Sequence, residues 1–327
     1  MDFFNKKHPS GRIFFIFFAF IGFVVYGFNF FNPDYLAYHD FYDGLVYESY
    51  EPGYIFLARL FLYFNFDFQI FYSVLNLLLL YLVFRFSFKW GRGSLFPVFF
   101  YISYPFFFDY IQTRNFIAEV VVLFSLYGLI FRSYSISRYL AGIGLAVFFH
   151  ASSVFYIVFL IIKFKNKSFS FVFPVLICVL FCVVFFPSLL VDLNPKLIFY
   201  AYDVTSWYTR GFFASYFFTI IALYAFFMNK SLIESPILLR FVYSLLVFLP
   251  LLFIGLDFIR LYRNLFLLLG VVSVYIYYNL PVYRYRLYFM LFSGFHLLFV
   301  FFVFVLLLTF TDVVSPMFFS NYFFGIL

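Results

Sequence analysis

This sequence predicts an all-α, polytopic integral membrane protein, and three observations carry that prediction. Of its 327 residues, 66% are hydrophobic and only 11% are charged, too little charge to cover a soluble surface. The apolar residues gather into runs near the length of about 20 that crosses hydrocarbon as helix. Basic and acidic residues also segregate into different gaps between those runs, as in a chain threaded through a bilayer. The net charge of +7 is spread over these gaps and forms no basic domain, so a nucleic-acid partner is excluded.

The first run, 12–31, follows "MDFFNKKHPSGR" with no small-residue cleavage site, so an uncleaved span is expected. Further spans are expected at 68–86, 95–108, 114–131, 169–187, 212–228, 237–256, 264–279 and 288–310. Cys178 and Cys182 lie i,i+4 inside an apolar run and read as packing residues, not a disulfide framework. Positive gaps belong to the cytoplasm: Lys6, Lys7 and Arg12; Arg85, Lys89 and Arg92; Arg132 and Arg138; Lys163, Lys165 and Lys167; Lys230; Arg284 and Arg286. Asp34, Asp40, Asp43, Glu48, Glu51, Asp109, Asp192, Asp203, Asp257 and Asp312 then fall outside. The expectation is one transmembrane domain, 1–327, with about eleven passes and outer-face loops at 32–53 and 187–211.

Two segments do not fit a simple crossing. Residues 139–162 lie between basic gaps that must share a side, yet as helix they extend only about 36 Å, enough for one crossing. "LAVFFHASSVF" should therefore break at His150, as a re-entrant hairpin or two short tilted helices. Residues 54–86 would give about 50 Å of helix for one net crossing, and "YFNFDFQ" offers a break at Asn65–Asp67. The helix opening at Pro52, a favoured first position with Glu51 just before it, is then expected to lie in or dip into the outer leaflet.

Charges at membrane depth are costly and so become functional candidates. Arg114 opens a span. A structural pair with Asp109 or Glu119 and an anion site at the helix N-terminus are both open readings. In "GLDFIRLYRNLF", Arg260 and Arg263 are i,i+3 at another span start. They suit either a diphosphate headgroup or interfacial snorkelling. His150 lies at the expected break beside Ser152 and Ser153. Tyr35, Tyr38, Tyr42, Tyr47, Tyr50 and Tyr54 crowd the first outer loop, as a sugar-stacking surface or an aromatic belt. Without a His-x-x-x-His pair, Cys cluster or Asp-x-Asp, no bound metal or cofactor is expected. The absence of a Gly-x-Ser-x-Gly elbow or Walker loop leaves hydrolase and ATPase readings unsupported.

"NPDYLAYHDFYDG", "YEPGYIFLARL", "TRNFIAEVVVLFSLYGL" and "LAVFFHASSVFYI", in that order, resemble the EpsG-like group of Wzy-type polysaccharide polymerases. The motifs span about residues 32–160, and the remainder is similar in topology alone. Asn115 departs from the pattern, where Gln is expected. The resemblance implies a glycosyltransferase at the outer face of the bacterial cytoplasmic (inner) membrane. It would join undecaprenyl-diphosphate-linked oligosaccharide repeats into O-antigen, capsular or exopolysaccharide. The substrate-binding residues would be Arg114, Arg260, Arg263, Tyr54 and Asp34, with Glu51 or His150 accepting the acceptor proton. Its partners would be the lipid-linked oligosaccharide and membrane lipid, and a chain-length regulator remains open. A flippase for lipid-linked glycans, an O-antigen ligase and a polymer-modifying transferase are the alternative readings.

Overall fold

The computed structural model describes residues 20–29, 34–44, 50–90, 93–132, 134–185, 206–233, 235–255 and 258–307, with Phe17 and Asn32. Most of the expected 187–211 loop, Asp257, Asp312 and much of the first span lie outside the described residues. Among the described residues the protein is helical, with no strand. Within the described residues, four helices are long and apolar enough to cross a membrane: Phe68–Phe88, Thr113–Phe131, Trp207–Lys230 and Tyr283–Leu306. Five shorter apolar helices accompany them. This is the architecture of an integral membrane protein, with apolar side chains such as Phe56, Phe171, Phe218 and Leu298 on its surface.

The elements that build the site come early. Helix α1 (Tyr35–Tyr42) leads to α2 (Pro52–Tyr63) and α3 (Phe68–Phe88). The break expected at Asn65–Asp67 separates α2 from α3. Asn65 takes a positive φ of 56°, which Asn tolerates better than most residues. Asp67 then caps α3 by accepting from the Ile70 amide at 2.7 Å. The expected span 95–108 is split at Tyr104 into α4 (Leu95–Ser103) and α5 (Pro105–Asp109). Its Pro105 begins the second piece, the position that proline tolerates. Helix α6 (Thr113–Phe131) follows the short turn after α5 and packs along α7 (Ile136–Phe149).

At His150 the chain leaves the helix with φ −156° and ψ 117°. A 3-10 helix, Ala151–Lys163, follows. Tyr139, in α7, donates to the carbonyl of Tyr156 at 2.6 Å. Were the two helices collinear, these residues would stand about 28 Å apart, so the chain folds back on itself. The break stands where it was expected, and two short helices fold back on each other with His150 at the vertex. Arg240, from a later helix, closes their far end by donating to the carbonyls of Ile162, at 3.0 Å, and Phe164.

The remainder forms the other side of the core: α8 (Asn166–Phe185), α9 (Trp207–Lys230), α10 (Pro236–Ser244), α11 (Leu249–Leu252), α12 (Ile259–Arg263), α13 (Phe266–Asn279) and α14 (Tyr283–Val300). Helix α13 is buried almost all round and lies against α4. A Cβ on Gly270 would stand 2.5 Å from the Cα of Pro97, so only glycine permits that approach. The short α12 sits between this core and the start of α6, and carries Arg260 and Arg263.

Candidate active site

Glu51 is the residue just before α2, in an extended conformation. Its place depends on Gly53: a Cβ there would lie 2.7 Å from the carbonyl oxygen of Phe148 and 2.8 Å from Cδ1 of Phe149. The missing side chain lets the start of α2 rest on the end of α7, next to the hairpin vertex. Glu51 thereby meets three groups. Arg114 donates from Nη1 to its Oε2 at 2.6 Å, the Ala151 amide donates to Oε1 at 3.4 Å, and Nδ1 of His150 is 3.6 Å from Oε1. The last separation is too long for a hydrogen bond.

Arg114, the second residue of α6, has one flank on Glu51 and the other on aromatic rings. Its guanidinium carbon lies 4.4 Å from the Tyr50 ring centroid and 5.6 Å from that of Tyr38. Its Nε donates to the Tyr38 hydroxyl at 3.4 Å. Tyr50 is itself fixed by donating to the Ala37 carbonyl at 2.7 Å. Tyr54 is fully buried and packs against Tyr38, Tyr50 and Phe41, so it supports the rings that face the guanidinium. Of the open readings for Arg114, pairing with Asp109 or Glu119 is not what the structure contains; the partner is Glu51.

Burial works to raise the Glu51 carboxyl, but the neighbouring His150 and the Arg114 charge outweigh it and hold it down at about 2. His150, 3.6 Å away, and Arg114, at 2.6 Å, together keep Glu51 ionised at neutral pH. Asp34, at the start of α1, behaves oppositely. Burial pushes its carboxyl above the usual range against the pull of Arg114 and Arg260. The same two arginine charges act on His150. The Arg114 and Arg260 charges thus act on both Asp34 and His150, and Arg114 pairs with Glu51, so residues from five separate parts of the chain influence one another. Both ring nitrogens of His150 are buried and without a hydrogen bond.

Arg263 is placed differently. It is buried, donates from Nη2 to Oε1 of Gln112 at 2.7 Å, and lies 5.0 Å from the Phe108 ring centroid. Its charge opposes Asp109 and Glu119, both fully within the core. Sequence reasoning missed Gln112 and Asn264, which connect this inner cluster to α6. The available signal was the dipeptide Arg-Asn, present at 114–115 and again at 263–264.

No group of three or more His, Cys, Asp or Glu that could hold a metal exists among the described residues. What the cluster offers is a pair of guanidiniums, a carboxylate locked to one of them, and an imidazole whose nitrogens accept no hydrogen bond. Such a set suits an anionic leaving group and a proton to be removed. The sequence profile of the EpsG family matches residues 12–324. No curated protein and no solved structure matches the chain.

Proposed function

The chain belongs to the EpsG family, and from that membership together with the Glu51–Arg114–His150 cluster we propose that it is a polysaccharide polymerase. It acts at the outer face of the bacterial cytoplasmic membrane, which it crosses in about eleven passes. Its substrates are oligosaccharide repeats carried on undecaprenyl diphosphate, joined into O-antigen, capsule or exopolysaccharide. The hydroxyl oxygen of the acceptor repeat attacks the anomeric carbon of the donor. The bond from that carbon to the diphosphate breaks, and the lipid diphosphate leaves with the bonding electron pair. Arg114 and Arg260 stabilise its growing charge, and the hydroxyl proton passes to His150.

The observation that carries this reading is that Glu51 holds Arg114 at 2.6 Å while His150 stands 3.6 Å from the same carboxylate. Guanidiniums at helix starts provide the anion site that a departing diphosphate requires. Glu51, tied to Arg114 at 2.6 Å, is a poor base when held near 2, because efficient proton acceptors titrate near the working pH. His150 is the preferred acceptor on that ground.

The test is the surface glycan of a strain lacking the gene. Single repeats transferred to the final acceptor, with no longer chains, are expected of a lost polymerase. Absence of every repeat would overturn the polymerase reading and favour a flippase or ligase.

A further inference from the structure

The start of α6 and the end of α12 carry the same dipeptide, and the two copies meet. Asn115 follows Arg114, Asn264 follows Arg263, and no other Arg-Asn occurs in the chain. Nδ2 of Asn115 donates to Oδ1 of Asn264 at 3.1 Å, and Nδ2 of Asn264 donates to Oδ1 of Asn115 at 3.1 Å. Both asparagines are 2% exposed. We propose that Asn115 and Asn264 are positioning residues of the diphosphate site, their reciprocal amide pair fixing the separation of the start of α6, which carries Arg114, from the end of α12, which carries Arg260 one turn earlier. This rests on the polymerase reading above for what the arginines hold.

A reciprocal amide pair is demanding in register. Each amide presents a donor and an acceptor side by side, so sliding one helix past the other breaks both bonds at once. Inside the core, where water cannot replace them, that loss is costly. The surroundings reinforce the fix. With both amides turned to suit their neighbours, Asn264 nitrogen also lies 3.2 Å from Oε2 of Glu119 and 3.0 Å from the Arg260 carbonyl, and its oxygen accepts from the Tyr156 hydroxyl at 3.2 Å. Gln112, two residues before Arg114, accepts from Arg263. Helix α12 is thus tied to the first two turns of α6 through Gln112, Asn115 and Glu119.

The arginines follow from this fix. Arg114 precedes Asn115 and faces Glu51 and Tyr50. Arg260 is one turn before Asn264 on the other element, and its charge reaches the same Asp34 and His150 that Arg114 reaches. The amide pair also accounts for Asn115 standing where the sequence pattern expects Gln: a side chain longer by one methylene would change the spacing that Asn264 matches.

The experiment measures binding of farnesyl diphosphate and of inorganic pyrophosphate to the purified full chain in detergent by calorimetry, with thermal stability alongside. Asn115→Leu combined with Asn264→Leu removes both partners and leaves no orphaned amide. The expected result is a thermal midpoint near that of wild type and a Kd raised about tenfold for both probes. A folded double variant with wild-type Kd overturns the proposal and reduces the pair to packing. Loss confined to farnesyl diphosphate also overturns it, because the lipid chain would then be what the pair positions. If the double variant fails to fold, Asn115→Gln keeps the amide and shifts it. A raised Kd there supports the proposal, and an unchanged one overturns it. Wild-type protein with no affinity for either probe overturns the diphosphate reading itself, and the positioning role with it.

Discussion

Replacing Glu51 by Gln separates two roles that the geometry allows this carboxylate. As a proton acceptor, Glu51 would contribute about 100- to 10,000-fold, the ordinary range for a general base. As the counter-ion of Arg114, it supplies one charge-assisted hydrogen bond at 2.6 Å, worth roughly 1.5–3 kcal/mol. That converts to about 10- to 150-fold. The two ranges overlap, so the size of the loss does not decide. The shape of the pH profile does. A carboxyl held near 2 gives no acid limb in kcat/KM near neutrality, whereas an imidazole titrates in roughly the pH 5–8 window. Purified protein in liposomes, extending lipid-linked repeats, is the assay. Wild type should show an acid limb displaced below the ordinary imidazole midpoint, because burial lowers His150. Glu51→Gln should retain that limb, with the loss falling mainly on KM for the donor. His150→Gln should lose about 100- to 10,000-fold and the limb with it. If the limb disappears in Glu51→Gln and persists in His150→Gln, the assignment of the base is wrong.

The remaining predictions draw on other features. Arg114→Lys should cost roughly 2–4 kcal/mol of transition-state stabilisation, about 30- to 1,000-fold in rate, since an ammonium cannot serve Glu51, Tyr38 and a diphosphate at once; a near-normal turnover would remove Arg114 from the site. Gly53→Ala should destabilise by about 1–3 kcal/mol through overpacking on the Phe148 carbonyl, and should weaken donor binding as Glu51 is displaced, both read from the purified variant. Because the Glu51 carboxyl is lowered in the fold from 4.5 to about 2, its stabilisation is complete above about 4.5 and is lost as pH falls through 2. The thermal midpoints of wild type and Glu51→Gln should therefore converge on acidification, and parallel curves would refute the ion pair. Cysteines placed at Arg138 and Lys165 should react with an impermeant thiol reagent from the same side, as the hairpin requires, and a cysteine at Asp43 from the opposite side.

Much of the fold could be read from hydrophobic run lengths, because the bilayer sets a fixed length per crossing and any surplus or shortfall must appear as a break. That arithmetic located the interruptions at Asn65–Asp67 and at His150, where the structure places a left-handed Asn and an extended His. It could not show how the two arms pair. That pairing depends on Tyr139 reaching the Tyr156 carbonyl, a contact between two residues that any apolar run would tolerate. Nor could run lengths reveal the division of the 95–108 run at Tyr104, since Pro105 is compatible with either a kink or a helix start.

The site was legible residue by residue but not in its pairing. Each of Glu51, Arg114, His150 and Arg260 stands out because charge or imidazole beside an apolar run is expensive. Which of them meet depends on positions that carry no charge at all. Gly53 brings Glu51 to the hairpin, and Tyr38 and Tyr50 give Arg114 an aromatic flank. Two residues of one sequence motif can also part company: Arg260 and Arg263 share a short helix, yet Arg263 turns to Gln112 and the buried acids. Spacing of i,i+3 specifies neighbouring positions on a helix, but the long guanidinium stems follow whatever acceptors the rest of the fold supplies. For Arg263 those acceptors come from the turn before Arg114, and nothing within its own helix announces them. Only where the same dipeptide recurs, at Arg114-Asn115 and Arg263-Asn264, did the sequence hold a hint of the contact between the start of α6 and the end of α12. That hint acquires physical meaning only when both asparagines prove to be buried and mutually bonded.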